Sequence, residues 1–454
     1  MMKVMVVLGT RPEVIKMAPV IQALQEAQIE TIVCATGQHR EMLAQALAVF
    51  SITPDISLDV MVPGQSLNKL ASKLLAELDE VIDRTRPDWV LVQGDTTTAL
   101  CGALAAFHRG VNVGHVEAGL RTGDLSSPFP EEANRAMLAR IATLHFAPTK
   151  KALEALQKES IDVKAICVTG NTVVDAIEMA KKMMNSALLF DDQVFERGFL
   201  DLVSPLVGET DQEAEGLLGR EGKKLLQPPL CPSISSSGLS LPQGERRDHD
   251  AESLKKFEDR VLNPLINPVI NQIQAVRDGK PLILVTCHRR ENFGGILEGI
   301  CELLAQLCKR YEAYHWVFPV HLNPNVREPV NRILGGIHNL TLIEPVNYLT
   351  NLFLLSEAVL VVTDSGGIQE EAPSFGVPVV VMRSHTERME GVDGGFATLA
   401  GQNPVLIEKA IIDWLENEKG RAALKNKKNP YGDGLASKRI VSRLCNKSME
   451  EFYG

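Results

Sequence analysis

Carboxylates and arginines cluster between residues 115 and 135 of this 454-residue chain, directly after an apolar run. The apolar run, 111–116, is typical of a buried strand. The segment from His115 to Arg135 holds one histidine, four carboxylates and two arginines, among them Glu117 and Glu131. Carboxylates perform acid–base chemistry and arginines bind anions such as phosphate. A solvated loop whose charges pair with one another would have the same composition, so the segment alone leaves both interpretations open.

The elements before this segment predict a parallel sheet that carries it. Strands predicted over 3–9, 30–36, 87–93 and 111–116 alternate with helices, which favours right-handed crossovers. Asp95 and Glu117 lie just past strand ends, and we expect them to converge on one edge of the sheet. Asp95 taken alone is better explained as the cap of the next helix.

The first predicted helix begins at Thr10 and combines a capping box with two cations. Thr10 and Glu13 have the capping-box spacing, and Arg11 and Lys16 flank a helix terminus that favours anions. A capped helix with two exposed cations is the alternative interpretation. Neither G-x-G-x-x-G nor a P-loop occurs in the chain, so the usual support for dinucleotide binding is missing.

A second series of strands and helices begins near residue 281. Strands are predicted over 282–286, 315–320, 358–363 and 377–382. His288 and Arg289 follow the first of these strands, and His321 follows the second. Ser365-Gly366-Gly367 opens a helix after the third strand, where free N–H groups would hold a phosphate. A glycine-rich capped turn is the simpler alternative.

These patterns predict an α/β protein with two Rossmann-like, doubly wound domains and an inter-domain cleft. We expect an N-terminal domain over 1–180 and a C-terminal domain over 261–434. The stretch 185–260, rich in Pro, Ser and Gly, is predicted to be a partly flexible insertion. Residues 435–454 are predicted to form a helix that packs back on the N-terminal domain.

Composition excludes several functional classes. A net charge of -10 and a pI of 5.6 argue against nucleic acid held by bulk electrostatics. The first apolar run is about seven residues long, which fits a strand rather than a signal peptide or membrane span. The eight cysteines form no C-x-x-C pair, so we expect reduced thiols in a cytoplasmic protein and no zinc site.

One half of the chain thus offers carboxylates, and the other offers a phosphate cradle with a histidine. That division is typical of an enzyme acting on a nucleotide sugar, with the diphosphate held largely by the C-terminal half. Substrate identity does not follow from these patterns.

Eight motifs, in order, give the chain a closer resemblance. They begin at Gly9, Gln93, His115, Pro128, Gly170, His288, Pro319 and Thr363, and read GTRPE, QGDTTT, HVEAGLRTG, PFPEEANR, GNT, HRREN, PVHLNPN and TDSGGIQEEAP. Together they resemble the non-hydrolysing UDP-N-acetylglucosamine 2-epimerases over nearly the whole chain apart from 185–260.

The resemblance implies a fold of the glycosyltransferase B type and an isomerase of polysaccharide biosynthesis. The implied reaction interconverts UDP-N-acetylglucosamine and UDP-N-acetylmannosamine by anti elimination of UDP to 2-acetamidoglucal, followed by re-addition. It requires no nicotinamide and no metal. Members of the family are usually homodimers, and neither nucleic acid nor membrane is an implied partner.

The resemblance also assigns residues to three roles. The implied catalytic residues are Asp95, Glu117, Glu131 and His288, without a choice of the carboxylate that removes the C2 proton. The implied substrate-binding residues are Arg11, Lys16, Arg135, Ser365, Gly366, Gly367 and Glu371. A second UDP-N-acetylglucosamine, bound as an activator, is implied for Gln38, His39, Gln65, Arg289 and His321.

Three departures from the family pattern stand out. Met389 stands where the family commonly has proline, residues 391–395 differ from the usual Ala-rich version, and the connection between Thr172 and His288 is longer than usual. A glycosyltransferase of the same fold, a hydrolysing 2-epimerase and a catalytically silent UDP-sugar sensor remain as other hypotheses. The intact carboxylates and His288 argue against the sensor.

Overall fold

The computed structural model describes residues 2–37, 40–62, 64–189, 273 and 277–453. The predicted insertion lies almost entirely outside the described residues, as do Gln38 and His39. The boundaries of the domains and of the insertion therefore stay predictions.

The first half of the chain forms a seven-stranded parallel sheet. In chain order its strands are β1 to β7: Lys3–Leu8, Glu30–Ala35, Ile56–Ser57, Trp89–Gln93, Asn112–Val116, Leu144–Ala147 and Ile166–Val168. Their order across the sheet is β3-β2-β1-β4-β5-β6-β7. The strand predicted over 87–93 is thus the fourth, because β3 has only two residues and gives no sequence pattern.

Helices cover both faces of this sheet, as a parallel sheet requires. They are Arg11–Glu26, Arg40–Val49, Leu67–Thr85, Thr97–His108, Glu131–Ile141, Lys150–Lys158 and Thr172–Leu189. A 3-10 turn, Val163–Ala165, precedes β7. The central strands are almost fully buried, which explains why they read as continuous apolar runs rather than as alternating patterns.

The second half repeats the arrangement with six parallel strands. Strands β8 to β13 are Leu282–Thr286, His315–Pro319, Leu340–Ile343, Ala358–Thr363, Val379–Val381 and Ala397–Leu399. Their order is β10-β9-β8-β11-β12-β13. The associated helices are Gly295–Arg310, Pro324–Leu334, Tyr348–Glu357, Gly366–Glu371, Met389–Asp393, Pro404–Glu416, Glu418–Leu424 and Ala436–Leu444, with 3-10 turns at Arg290–Asn292 and Ala372–Phe375.

Strand order reverses next to the first strand of each sheet, and ligands of such folds bind at that point. In the first sheet the reversal lies between β1 and β4, which lead into Gly9 and Gly94. In the second sheet it lies between β8 and β11, which lead into Cys287 and Asp364. Both sets of strand ends line one cleft between the two sheets. The prediction of two Rossmann-like domains of the glycosyltransferase B type is confirmed.

The last helix, Ala436–Leu444, contacts the helices Arg11–Glu26 and Thr172–Leu189 of the first half. Asp175 accepts hydrogen bonds from the backbone N–H of Ser437 at 2.8 Å and of Ala436 at 3.2 Å, at the start of that helix. None of the helices in the described part of the chain is long and apolar enough to cross a membrane.

Candidate functional site

The inter-domain cleft has a volume of about 580 Å³ and is lined by strand ends of both sheets. It brings together all eleven residues predicted to act in catalysis or substrate binding: Arg11, Lys16, Asp95, Glu117, Glu131, Arg135, His288, Ser365, Gly366, Gly367 and Glu371. They come from segments up to 360 residues apart in the chain. The expectation that Asp95 and Glu117 share one sheet edge is met.

The three predicted catalytic carboxylates have different surroundings. Both oxygens of Glu117 accept hydrogen bonds from Lys16 Nζ at 2.7 Å, and Gln93 donates a further one. Asp95 Oδ2 is paired with Arg135 Nη2 at 2.7 Å. Glu131 Oε2 is buried and has no hydrogen-bond partner among the described residues. The site therefore holds one carboxylate oxygen that is shielded from water and unoccupied.

Glu117 adopts an unusual backbone conformation directly after β5. Its φ is +65°, in the left-handed region that residues with a Cβ rarely occupy. The side chain is 5% exposed. Burial raises the pKa of Glu117, and the charge of Lys16 opposes that rise. Strained backbone that holds a buried carboxylate in a cleft is typical of a functional position.

A network of buried ion pairs joins the two domains beneath the cleft. Lys16 Nζ lies 2.8 Å from Glu370 Oε2, and Arg388 Nε lies 2.8 Å from Glu370 Oε1. Arg135 Nη2 lies 3.5 Å from Glu387 Oε1. Lys16 and Arg135 thus each pair with a predicted catalytic carboxylate and with a C-terminal glutamate. The sequence analysis missed Glu370, Glu387 and Arg388.

Glu387 and Arg388 belong to the segment in which Met389 replaces the family's proline. Arg388 is 9% exposed, and burial of Glu387 is outweighed by Arg388 and Arg383, which hold the pKa of Glu387 below its ordinary range. Met389 is the first residue of the helix Met389–Asp393. Proline suits that position, but a residue with a free N–H also fits there, so the replacement preserves the helix start.

The Ser365-Gly366-Gly367 turn begins the helix Gly366–Glu371, as predicted. A Cβ atom on Gly366 would lie 2.6 Å from Cζ of Arg388, whereas one on Gly367 would have no neighbour closer than 3.9 Å. Glycine at 366 therefore lets the backbone approach the Arg388 guanidinium. At 367 the structure offers room for a side chain.

Replacing Gly366 with Ala is expected to destabilise the protein by about 1–3 kcal/mol, because the buried Arg388 must move away from Glu370. The matched control, Gly367→Ala, is expected to change stability by no more than about 1 kcal/mol, in the stabilising direction. Urea denaturation of both variants measures the difference. Equal losses in the two variants would contradict the close approach at Gly366.

Glu13 is a buried carboxylate under the cleft that ties two strand ends together. Its Oε2 accepts hydrogen bonds from the backbone N–H of Gly9 at 2.9 Å and of Thr10 at 2.6 Å. Its Oε1 accepts one from Thr96 Oγ1 at 2.8 Å. The bond from Thr10 is the Glu13 half of the predicted capping box. Burial raises the pKa of Glu13 to about 7, against the opposing effect of these hydrogen bonds.

The Glu13 carboxyl makes stability depend on pH. Its pKa is higher in the folded than in the unfolded chain, so its contribution is lost as pH rises from about 4.5 to about 7, by roughly 3 kcal/mol. Glu13→Gln mimics the protonated form and is expected to remove this pH dependence. Urea denaturation at pH 5 and pH 8 measures it, with the exposed Glu154→Gln as control. An unchanged pH dependence in Glu13→Gln would contradict the expectation.

His288 lies on the C-terminal wall, where Asp364 Oδ1 is 3.2 Å from its Nδ1. Its ring stacks on that of His321, with centroids 6.0 Å apart. Burial lowers the pKa of His321, and so does the nearby His288. Arg289 and His321, predicted for an allosteric site, line this same cleft. Gln65 instead donates to the carbonyl of Val60 at 3.2 Å.

His115, in the segment that first suggested chemistry, has a structural role. Its Nε2 lies 2.7 Å from the carbonyl oxygen of Gly94, next to Asp95. Burial lowers its pKa to about 3, so the ring is neutral at physiological pH. His115 therefore supports the loop that carries Asp95 without contributing charge to the cleft.

Comparison with known proteins gives consistent matches over the whole chain. A family model described as UDP-N-acetylglucosamine 2-epimerase matches residues 22–201 and 252–445. UDP-N-acetylglucosamine 2-epimerases of Yersinia pestis and Escherichia coli K12 are each 42% identical, over 98% of this chain and 99% of each relative. Residues 202–251, which separate the two stretches matched by the family model, fall inside the predicted insertion.

Solved structures agree with the sequence matches. The UDP-GlcNAc 2-epimerase of Neisseria meningitidis, crystallised with UDP-GlcNAc, superposes with a TM-score of 0.76 and 37% identity. The match covers 98% of this chain and 100% of that one. Family match, sequence identity and fold extend over both domains that form the cleft. The chain therefore belongs to the UDP-N-acetylglucosamine 2-epimerase family.

Proposed function

We propose that the protein interconverts UDP-N-acetylglucosamine and UDP-N-acetylmannosamine in this cleft. The proposal rests on the two walls of the inter-domain cleft, which face each other. Asp95, Glu117 and Glu131 lie on one wall, and His288 with the Ser365 turn lies on the other. Acid–base groups and anion-binding groups thus meet in one cavity, as loss of a diphosphate and a proton from neighbouring carbons requires.

The reaction proceeds by elimination and re-addition. A carboxylate removes the C2 proton, and the electron pair of the C2–H bond forms the C1=C2 double bond. The C1–O bond breaks, and its electron pair stays on the β-phosphate oxygen of UDP. Re-addition of UDP to C1 returns a proton to the opposite face of C2. Two proton-handling groups on opposite sides of the sugar are therefore needed.

Glu131 is the best-supported proton acceptor at C2. A base needs a free oxygen, and the buried Oε2 of Glu131 has no hydrogen-bond partner among the described residues. Glu117 is occupied by Lys16 and Gln93, which favours a role in stabilising positive charge at C1. Asp95, paired with Arg135 and 25% exposed, is left to handle the proton on the other face.

Cations and backbone amides after the strands of both sheets stabilise the negative charge of the departing UDP. Arg11 Nη1 donates a hydrogen bond to the carbonyl of Val346 at 3.3 Å. Burial lowers the pKa of Arg11. An anion would compensate for that burial better than a neutral carbonyl does. Lys16 and Arg135 are already paired with carboxylates and add positive potential. His288 and the amides of Ser365, Gly366 and Gly367 complete the proposed anion site.

Glu371 is proposed to hold the ribose hydroxyls. Its Oε2 accepts a hydrogen bond from Asn351 Nδ2 at 3.2 Å. Burial raises its pKa to about 7, and the neighbouring Glu370 adds to the effect. A carboxylate so poorly solvated gains from two hydroxyl donors, which supports the assignment.

The remaining parts of the proposal concern assembly and regulation. We propose a cytoplasmic homodimer, with the exposed Phe107 and Met137 on contacting helices as candidate interface residues. Light scattering is expected to give twice the 49.7 kDa of one chain. An activating UDP-N-acetylglucosamine near Gln38, His39, Gln65, Arg289 and His321 also stays a proposal.

Proton NMR of the purified protein with UDP-N-acetylglucosamine in deuterated water tests the function. The manno epimer is expected, with deuterium at C2, because the abstracted proton exchanges before re-addition. An epimer that retains its C2 hydrogen would contradict the elimination route. Free N-acetylmannosamine with UDP would indicate a hydrolysing enzyme instead. Turnover that appears only with an added acceptor would indicate a glycosyltransferase, and binding without turnover a sensor.

A further inference from the structure

Asp364 is a buried carboxylate on the C-terminal wall with no assigned role in the proposed reaction. It directly follows β11 and is 0% exposed. Its Oδ2 accepts hydrogen bonds from the backbone N–H of Arg289 at 2.9 Å and from Asn292 Nδ2 at 2.9 Å. The backbone N–H of His288 adds a contact of 3.0 Å to the same oxygen. Asp364 therefore fixes the loop that carries His288.

The same carboxylate also contacts the imidazole ring. Its Oδ1 lies 3.2 Å from His288 Nδ1, so backbone and side chain of His288 are held by one group. The geometry follows from the sheet, because β8 and β11 are hydrogen-bonded neighbours and Thr286 is in register with Thr363. The residues after these paired positions emerge side by side at the floor of the cleft.

Charge favours an ionised Asp364. Burial opposes ionisation, but the hydrogen bonds and charge of His288 and the backbone N–H groups hold the pKa of Asp364 below its ordinary range. Arg289 directs its Nε to the main-chain oxygen of Asp364, at 3.0 Å, and not to the carboxylate. Asp364 and His321 contact the His288 ring, and Arg289 follows it on the same loop.

We propose that Asp364 is a positioning residue that keeps a proton on Nδ1 of His288 and opposes the charge of the imidazolium form. The arrangement follows the general logic of a carboxylate that orients a catalytic histidine. When Nδ1 keeps its proton, Nε2 is the ring nitrogen that gains or loses a proton. In the imidazolium form Nε2–H is then a charged donor for an oxygen anion in the cleft.

The inference rests on the proposed function only for the identity of that anion. In the elimination step the electron pair of the C1–O bond passes to the β-phosphate oxygen, and Nε2–H donates a hydrogen bond to it. No bond to His288 forms or breaks. Without the Asp364 carboxylate the ring is free to turn, and no group opposes the charge of its imidazolium form.

Nitrogen NMR of the full-length protein labelled with ¹⁵N-histidine tests the tautomer without reference to activity. The His288 signals are identified by their absence from His288→Gln. At high pH the wild-type ring is expected to retain its proton on Nδ1. In Asp364→Asn this preference for Nδ1 is expected to be lost. A wild-type ring protonated on Nε2 alone at high pH would overturn the proposal, whether or not the variant folds.

A double-mutant cycle separates positioning from a general structural role. Asp364→Asn is expected to lower kcat about 10–100-fold in the wild-type background and less than about 3-fold in the His288→Gln background. Equal losses in both backgrounds would overturn the proposal. Cys287→Ala removes a different contact to Asp364, the Sγ at 3.3 Å, and is expected to leave the His288 tautomer unchanged. A wild type that never epimerises the sugar would instead reject the proposed function, while the tautomer measurement still decides the role of Asp364.

Discussion

Replacing Glu131 with Gln is expected to lower kcat by about 1,000-fold while UDP still binds. Loss of a positioned base removes typically about 100- to 10,000-fold of rate. Glutamine has the size of glutamate but cannot accept the C2 proton. Because Glu131 Oε2 has no hydrogen-bond partner among the described residues, the substitution breaks no contact of that oxygen. The loss should therefore appear in turnover and not in stability.

Epimer formation followed by proton NMR measures kcat, and calorimetric titration with UDP measures binding. The matched control is Asp124→Asn, an exposed carboxylate of the same segment that bonds to Ser126. It is expected to keep activity within about 3-fold of the wild type, since exposed surface changes away from a site have small effects. A Glu131→Gln variant with more than a tenth of wild-type turnover would exclude Glu131 as the proton acceptor.

Replacing Lys16 with Met is expected to lower the free energy of unfolding by about 3–5 kcal/mol. Lys16 is 7% exposed and lies between two buried carboxylates, Glu117 at 2.7 Å and Glu370 at 2.8 Å. Burial opposes its charge, but the two glutamates outweigh burial and raise the pKa of Lys16. Without the cation, two negative groups would face each other across the domain boundary.

The loss should depend on pH with a defined sign. Burial already raises the pKa of Glu117, and without Lys16 that pKa rises further, so this carboxylate takes up a proton more readily as pH falls. Stability is then lost as pH rises, and the free energy of unfolding of the variant should be lower at pH 8 than at pH 6. Chemical denaturation at both values measures the difference.

Lys151 provides a matched control for Lys16. It also pairs across the domains, with Asp393, but its side chain is 48% exposed. Lys151→Met is expected to change stability by less than about 1 kcal/mol, because water screens an exposed pair. Similar losses in the two variants would show that burial does not determine the strength of the cross-domain pairs.

The buried ion pairs link the carboxylates of the cleft to the relative position of the two domains. Lys16 and Arg135 each pair with a proposed catalytic carboxylate of the N-terminal domain and with a glutamate of the C-terminal domain. The carboxylate positions therefore depend on how the two domains meet. A change in the relative position of the domains would alter the potential at Asp95 and Glu117 without touching either residue.

Periodicity and strand-end chemistry were sufficient to predict the fold class and much of the cleft. Buried parallel strands read as apolar runs, and the residues after such strands must lie on one edge of the sheet. That reasoning brought Asp95 and Glu117 together, and separately placed His288 and Ser365 at the second sheet. The motif resemblance added Glu131, which follows no strand directly.

Only the tertiary structure shows which side chains of the two domains contact one another. The segments that contain Glu370, Glu387 and Arg388 are helical or irregular, and their sequence pattern does not reveal an ion-pair partner. The ion pairs of Lys16 with Glu370 and of Arg135 with Glu387 join residues more than 200 positions apart. Asp364 reads in sequence as part of a glycine-rich turn, yet it holds His288, 76 residues away. Sequence pattern specifies which strand a side chain follows. Only packing of the two domains determines which charges face one another, because electrostatic pairing depends on distance in space and leaves no period along the chain.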